Sequence, residues 1–375
     1  MKKLLVKISV LCVLLLMCIM NVSGYTGSAV GASGTAADKE VARLLDLKHT
    51  LRFNQNGKFK IVIFADIQDK YPLKADTLDY MNKILDKEKP DLVLLGGDNH
   101  CGGLNAESLL KTYLTSMCEP MESRKIPWAQ IYGNHVEGGY NNNIYDKFGA
   151  PSKERQQQIF EAFKYNVSKG GNVYGQGNYV LPILRSDSDK IAFNVFGLDT
   201  HSYLNENPGG QAFEDKALLP RPIYGGLEGS KYETIHFDQI RWYWKTSVAL
   251  EKYNGSKIPA MMYFHIALNE WNYIAKNPTQ TGMVGENREG VWPSELNSGL
   301  FHACYERGDV KGMFVGHCHR NDFVGEYMGI MMGFTPTIGS YAYYDADNRG
   351  ARVIEINQND AFNFTTRMVY TKDLK

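Results

Sequence analysis

The sequence has no net charge to offer: 41 Lys and Arg stand against 41 Asp and Glu in 375 residues. Such a balance gives no global field to draw in nucleic acid or an anionic membrane, so neither is expected as a partner. Cysteine is scarce as well. Two of the six lie in the first 18 residues, and the other four, Cys101, Cys118, Cys304 and Cys318, are too sparse for a disulfide scaffold in a chain this long. Cys101 and Cys118 are close enough in sequence to close one bridge, a point the sequence leaves open. No period of about 20–50 residues recurs, which argues against a solenoid or propeller.

The apolar run at the N-terminus, Ile8 to Met20, is short for a membrane span of about 20 residues. Lys2, Lys3 and Lys7 precede it and the small residues Val22-Ser23-Gly24 follow it. This order reads as a secretory signal over residues 1–24, the alternative being an uncleaved anchor. Met17 directly before Cys18 argues against a lipid anchor. A Gly/Ala/Ser/Thr-rich stretch, Gly27 to Ala37, reads as a tether, so residues 25–50 are taken as linker and N-terminal helix and 51–375 as the folded domain. The expected location is secreted or extracytoplasmic, with no stable membrane span in the mature chain.

What is present is a set of apolar runs that end in polar residues. Val310-Lys311-Gly312-Met313-Phe314-Val315 leads into Gly316-His317-Cys318-His319. Residues two apart in an extended segment share a face, so the two imidazoles can converge on one point, with Cys318 turned away. Alone this pair is a weak signal, because His pairs in polar loops are mostly not metal ligands. Three upstream strands end in the same manner: Phe59 to Ala65 before Asp66 and Gln68, Asp91 to Gly96 before Gly97-Asp98-Asn99, and Pro127 to Tyr132 before Gly133-Asn134-His135. Helical patterns between them, Asp76–Lys87 and Leu104–Met117, give a β-α-β-α-β order and predict a parallel sheet with its reactive loops at the strands' carboxyl ends. Gly-Asp-Asn and Gly-Asn are common turn formers too, but three at successive strand ends exceed turn chemistry.

Further on, Pro151–Asn166 reads as a polar, peripheral helix. Asn178–Leu184 and Lys190–Leu198 read as strands, the latter ending at Asp199-Thr200-His201. Ser202–Tyr232 is read as an insertion beside the site, and His236–Lys252 as a helix. Ile258–Phe264 is a strand capped by His265, the stretch to Asn297 a long polar loop, and Leu300–Arg307 a short helix. The tail from Asp322 alternates short strands and turns, which suggests a second, more antiparallel sheet packed on the first. The fold class is α/β: a four-layer αββα-type sandwich of two mixed sheets, with helices outside and a metal site at the C-terminal loops of the strands.

Asp66, Gln68, Asp98, Asn134, His265, His317 and His319 mix carboxylate, carboxamide and imidazole, a set suited to Mn, Fe or Zn and unlike a thiolate-rich structural zinc site. Seven donors exceed one ion's needs. Two divalent ions roughly 3.5–4 Å apart would clamp a phosphoryl group and lower the pKa of a bound water.

These blocks resemble the calcineurin-like metallophosphoesterases, and within them the purple acid phosphatase-like proteins of the small, "probable inactive" plant and fungal class. The resemblance covers about Lys58 to Ala342 through Phe64-Ala65-Asp66-Ile67-Gln68, Gly97-Asp98-Asn99, Gly133-Asn134-His135, Tyr263-Phe264-His265 and Gly316-His317-Cys318-His319. It implies that Asp98 bridges two metals, with Asp66, Gln68 and His319 completing one site and Asn134, His265 and His317 the other. It implies that His135 acts on the substrate as proton donor or transition-state stabiliser. Asn99, His135 and His201 are assigned to substrate contacts. Three positions depart from the family pattern. Gln68 stands where most members carry His, Cys101 stands at the place of the purple enzymes' Tyr ligand, and Val136-Glu137 replaces an acidic residue after Gly-Asn-His. The purple colour is therefore not expected. The reading is a secreted phosphoesterase acting on a small-molecule phosphate ester. The alternatives are an inactive binding protein of the same fold and a Mn-dependent pyrophosphatase of nucleotide diphosphate conjugates. A carbohydrate-binding module would explain the 23 tyrosines but none of the blocks.

Overall fold

The computed structural model describes residues 36–101, 104, 106–135, 151–171, 173–202 and 232–374. The expected signal, most of the expected tether, Val136-Glu137 and most of the Ser202–Tyr232 stretch read as an insertion lie outside the described residues. Two units divide at Lys39: Met1–Lys39, of which only the first residues of a helix are described, and Glu40–Lys375. In chain order the elements are α1 (Ala36–Leu45), β1 (Leu51–Arg52), β2 (Lys58–Phe64), α2 (Ala75–Glu88), β3 (Leu92–Gly96), α3 (Glu107–Arg124), β4 (Trp128–Ile131), α4 (Lys153–Ala162), β5 (Tyr179–Leu184), β6 (Ile191–Gly197), α5 (Phe237–Asn254), β7 (Ala260–Tyr263), α6 (Trp271–Lys276), α7 (Leu300–Arg307), β8 (Val310–Val315), β9 (Val324–Tyr327), β10 (Ile330–Phe334), β11 (Gly350–Asn357) and β12 (Thr365–Tyr370).

Among the described residues the strands form two mixed sheets, ordered β12-β11-β2-β3-β4 and β1-β5-β6-β7-β8-β10-β9. β2, β3 and β4 run parallel, as the β-α-β-α-β order requires, with Ile61 opposite Leu92 and Val93 opposite Trp128. The period of two assigns the faces. Ile61, Ile63, Leu92 and Leu94 join the large core shared with the seven-stranded sheet, whereas Val62, Phe64, Val93 and Leu95 pack with Met81, Leu85, Leu114 and Met117 of α2 and α3. On the far side Phe196 of β6 meets the rings of Trp242 and Tyr243 in α5. The layers are helix, sheet, sheet, helix.

Three expectations are corrected, and one point the sequence left open, the Cys101–Cys118 bridge, is answered. The C-terminal strands do not form a sheet of their own. β9 and β10 extend the seven-stranded sheet, while β11 pairs antiparallel with β2 and carries β12 with it, so the tail closes both sheets. A short strand leaves its partner unspecified; here β2 and β8 each had a free edge to satisfy. The polar loop after His265 holds α6, whose Trp271 is fully buried. Helix α4 is not peripheral, since Lys153, Gln156, Gln157, Ile159 and Phe160 are buried. Cys101 and Cys118 are free thiols, Cys118 in the core of α3.

Candidate metal centre

Each strand that leads to a candidate ligand ends in a sharp turn. Among the described residues eight non-glycine positions have positive φ, and Asp66 (50°), Gln68 (40°), Asp98 (45°), His201 (62°) and His317 (68°) are five of them. Backbone held in that sparsely populated region concentrates at functional sites. Two glycines make room. A Cβ on Gly97, at φ +90°, would lie 2.5 Å from His265 Nδ1, and one on Gly133 would lie 2.1 Å from Asp98 Oδ1.

The loops bring two buried carboxylates against a group of imidazoles. His265 Nε2 lies 3.2 Å from Asp98 Oδ2 and 3.8 Å from Asp66 Oδ1, and His319 Nε2 lies 3.4 Å from the same Asp66 oxygen. Asp98, His265 and His317 offer ligand atoms that all fall within 4.8 Å of one another. Asp66 Oδ1 and His265 Nε2 are buried and lack an aligned hydrogen bond despite this proximity. Outer contacts fix the tautomers: His265 Nδ1–H donates to Gly96 O (2.9 Å) and His319 Nδ1–H to Tyr343 O (2.8 Å), which leaves each Nε2 facing the carboxylates. Backbone amides hold the other oxygens, His317 N–H on Asp66 Oδ2 and His135 N–H on Asp98 Oδ1, both at 2.9 Å. The residues therefore fit divalent ions by chemistry, burial and convergence.

The titration of these groups follows from the same geometry. Burial would lower the His265 pKa, but the Asp98 and Asp66 carboxylates outweigh it and raise it to about 9. His319 is raised too, with Asp66 overcoming burial. His317 is held well below its usual range, by burial first and then by its neighbour His265. Burial would raise the Asp98 pKa, yet His265 and His135 hold the carboxyl far below the ordinary range. Without a cation, imidazole protons carry the positive charge the carboxylates demand.

Gln68 is buried here, and its Nε2 donates to Asp98 Oδ2 at 3.2 Å. His135 is partly exposed, its Nε2 3.9 Å from Asp98 Oδ2, at the edge of the group. Asn134 is buried beside it. Two sequence candidates have other polar partners. Asn99 donates from Nδ2 to Ile131 O (2.9 Å) and its own carbonyl accepts from Tyr113 Oη (3.0 Å), inside the core. His201 joins a separate buried cluster, with Nε2 3.1 Å from Gln239 Oε1 and Nδ1 3.7 Å from Asp199 Oδ2, while Lys153 Nζ stands 3.4 Å from Asp199. Burial lowers the His201 pKa against the pull of Asp199.

Supporting residues escaped the sequence reading. Thr200 Oγ1 accepts the Ile266 N–H (3.2 Å) and Ser202 Oγ donates to Asn134 O (3.2 Å), so the segment after β6 braces the loops of both His265 and Asn134. Asp69 Oδ1 accepts the Ser340 and Tyr341 amides at 3.2 and 2.9 Å, joining the Asp66 loop to the segment after β10. Their one sequence signal is proximity to candidate ligands.

Two buried carboxylates facing imidazoles at the ends of parallel strands in a two-sheet sandwich define a metal-dependent phosphoesterase type of centre. The profile of the calcineurin-like phosphoesterases matches residues 59–253, and the chain belongs to that family. It is 30% identical over 347 residues to "Probable inactive purple acid phosphatase 29" of Arabidopsis thaliana, covering 83% of this chain and 80% of that one. It is 28% identical to "Phosphatase DCR2" of Saccharomyces cerevisiae, over 73% of this chain and 46% of that protein. Among solved structures it is similar to a dimetal phosphatase from Danio rerio, at 12% identity and a TM-score of 0.49, over 83% of this chain and 98% of that one.

Proposed function

We propose that the chain is a secreted metal-dependent hydrolase of small-molecule phosphate esters, with residues 51–375 as its phosphoesterase domain. The observation that carries this reading is the pair of buried carboxylates, Asp66 and Asp98, set against His265 and His319, with Asp66 Oδ1 and His265 Nε2 buried and lacking an aligned hydrogen bond. Asp98 lies centrally and is the residue suited to serve two ions. Asp66, Gln68 and His319 would hold one, and Asn134, His265 and His317 the other. Divalent ions bound there, Mn, Fe or Zn, supply charge neutralisation for a phosphoryl group and acidify water. The protein's own part is to fix the donors and to hold His135 at the edge, where its imidazole can pass a proton to the leaving oxygen. The apolar N-terminal run after Lys2, Lys3 and Lys7 supports secretion, and no helix among the described residues is long and apolar enough to cross a membrane.

A second reading, a binding protein of the same fold, is favoured by the Gln68 amide on Asp98 and by the "probable inactive" wording of the plant relative's name. A titration of Mn, Zn, Fe and Mg separates the two, with bound metal measured beside hydrolysis of p-nitrophenyl phosphate, its bis ester and a nucleotide diphosphate conjugate. The hydrolase reading expects turnover with added Mn and weak activity as isolated, since a neutral amide oxygen suits a harder ion than imidazole does. Gln68→His should shift the preference towards Zn or Fe. Metal uptake with no turnover of any of the three substrates would move the binding protein ahead.

A further inference from the structure

Helix α5 lies in an outer layer, and its inward face is covered: Ile240, Tyr243, Ser247 and Leu250 are buried. Its outward face carries Phe237, Arg241, Trp244, Lys245, Val248 and Lys252, all exposed. Spacings of three, four and seven place these residues in one stripe along the helix. Three of them are large and apolar, with Phe237 79%, Trp244 37% and Val248 45% exposed. Apolar side chains lined up on one side of an outer helix mark an interaction face, whereas single ones scattered over a surface do not.

The stripe ends in a shallow depression of about 350 Å³, lined by Val248, Glu251, Lys252, Gly255 and Arg307. The first four stand at i, i+3, i+4 and i+7, the four corners of the hole into which a side chain of a facing helix inserts. Gly255 keeps it open, since a Cβ there would meet nothing within 4 Å. Arg307 is buried, bonds Glu251 through Nη2, and has no hydrogen bond at its buried Nε. A guanidinium held in this way can stack on an aromatic ring. At the opposite end of the same stripe stands Phe237, the most exposed large apolar side chain among the described residues. A knob and a hole at opposite ends of one helix are self-complementary under a two-fold axis.

We propose that α5 is the contact between two copies of this chain, packed antiparallel, with Phe237 of each seated in the hole of the other. The charges agree with this seating. Phe237 set against Lys252 of the second copy puts the two-fold axis between Trp244 and Lys245. Each indole then meets the ammonium of the other copy's Lys245. Asp238, in the first turn of α5, comes within one turn of the other copy's Lys252, while Glu251 keeps its own Arg307. A parallel pairing would oppose Asp238 to Asp238 and Lys252 to Lys252 and leave both holes unfilled. No residue of the candidate centre takes part, so this inference is independent of the phosphoesterase reading.

Sedimentation equilibrium of the full chain between roughly 1 and 100 μM tests it. The mass should rise from one copy to two across that range. Phe237→Ala should raise the dissociation constant at least ~30-fold, the weight of a hot-spot side chain. The residue is exposed, so the variant keeps its fold. Single cysteines then read the direction of the helices, with the unaltered chain as the reference for its own thiols. Lys245→Cys lies next to the axis and should give a disulfide-linked dimer on mild oxidation. Asp238→Cys should not, because antiparallel helices hold the two copies of that position about 20 Å apart, 13 residues at 1.5 Å each. A chain that stays single throughout, or a dimer that Phe237→Ala does not weaken, would overturn the proposal. Cross-linking through Asp238→Cys, or none through Lys245→Cys, would overturn the antiparallel seating and with it the role of the hole.

Discussion

Replacing Gly133 by alanine tests the centre without touching a candidate ligand. The added Cβ would lie 2.1 Å from Asp98 Oδ1, 2.5 Å from Asp98 N and 2.7 Å from Asp98 Cγ. Ordinary contact begins at 3.4 Å, so the carboxylate must retreat by about 1.3 Å. A side-chain rotation alone does not relieve the contact with the backbone nitrogen, so the Asp98 turn moves as well. Gly133 is not among the positive-φ residues, and alanine carries no backbone penalty there. The whole effect is steric and falls on Asp98. Overpacking of this kind costs about 1–3 kcal/mol. Loss of the His135 N–H bond to a charged oxygen adds about 1.5–3 kcal/mol. Together these predict a melting temperature lower by roughly 10 °C in a domain of this size. A ligand displaced by about 1 Å should lower turnover at least ~100-fold. Bound metal, hydrolysis and thermal unfolding are the measurements, with Gly170→Ala as control, because a Cβ there meets nothing within 4 Å. A Gly133→Ala protein that melts normally and keeps its metal would refute the close approach itself. One that melts early yet retains full metal content would refute the assignment of Asp98 to the centre.

The remaining predictions follow from the same contacts. His135→Ala should keep its bound metal and lose about 10²–10⁴ in rate; loss of metal in that variant would make His135 a ligand. Since Asp98 and Asp66 raise His265 to about 9 against burial, the metal-free protein holds this imidazole charged at neutral pH, and metal must displace its proton. Affinity should therefore fall as pH drops below 9, and calorimetry in buffers of different ionisation enthalpy should detect the released proton. The sign for stability is the reverse: the raised pKa stabilises the metal-free fold fully below 6.5, and this contribution is lost as pH rises through about 9. Unfolding curves without metal at three pH values check it, and flat stability across that window would count against the charged form. Arg352, buried, donates to Phe334 O (2.9 and 2.6 Å), Asp322 O (2.7 Å) and Thr366 Oγ1 (3.1 Å), and so ties β11 and β12 to the neighbouring sheet at β10. Arg352→Met should destabilise by about 2–4 kcal/mol through the carbonyls it leaves unpaired, measured by denaturant unfolding.

Legibility in the sequence divided along physical lines. β2, β3 and β4 were readable because each is a short, largely apolar run that stops at a turn, and parallel pairing through short helices has few alternatives. The tail was not, since β9 to β12 are short and nothing local in Gly350–Asn357 says that Arg352 will sit opposite Ile63 of β2. Helix α6 spans six residues, too few for a period to show. The convergence of Asp66, Asp98, His265, His317 and His319 could be foreseen because each follows a strand directly. His201 follows β6 in the same manner and still turns away. Its neighbours decide this: the Asp199 side chain binds the His201 amide at 2.9 Å, and Gln239 of α5 takes the ring. The first contact is local, but the second is a long-range choice invisible in the stretch Asp199-Thr200-His201.

Gln68 shows how a residue legible in sequence can change meaning in place. Read as a letter, it is a carboxamide where an imidazole is usual, one weaker ligand. In the structure it is a donor: its Nε2 lies on Asp98 Oδ2, the oxygen that also faces His265 Nε2 at 3.2 Å and His135 Nε2 at 3.9 Å. If a cation binds beside Asp66 and His319, as proposed, it would meet an amide that is already satisfied as a donor, and the amide would have to turn before its oxygen could coordinate. That rotation breaks a hydrogen bond to a charged acceptor, a loss of about 1.5–3 kcal/mol, or roughly a tenfold to hundredfold reduction in affinity for that ion. A histidine there would pay less, because a neutral imidazole can present a lone pair to the ion from one ring nitrogen while the other donates outward, the outward donation being one that His265 and His319 Nδ1–H make here. Any asymmetry between the two ions of the proposed centre would thus arise from what the amide is doing before any metal arrives.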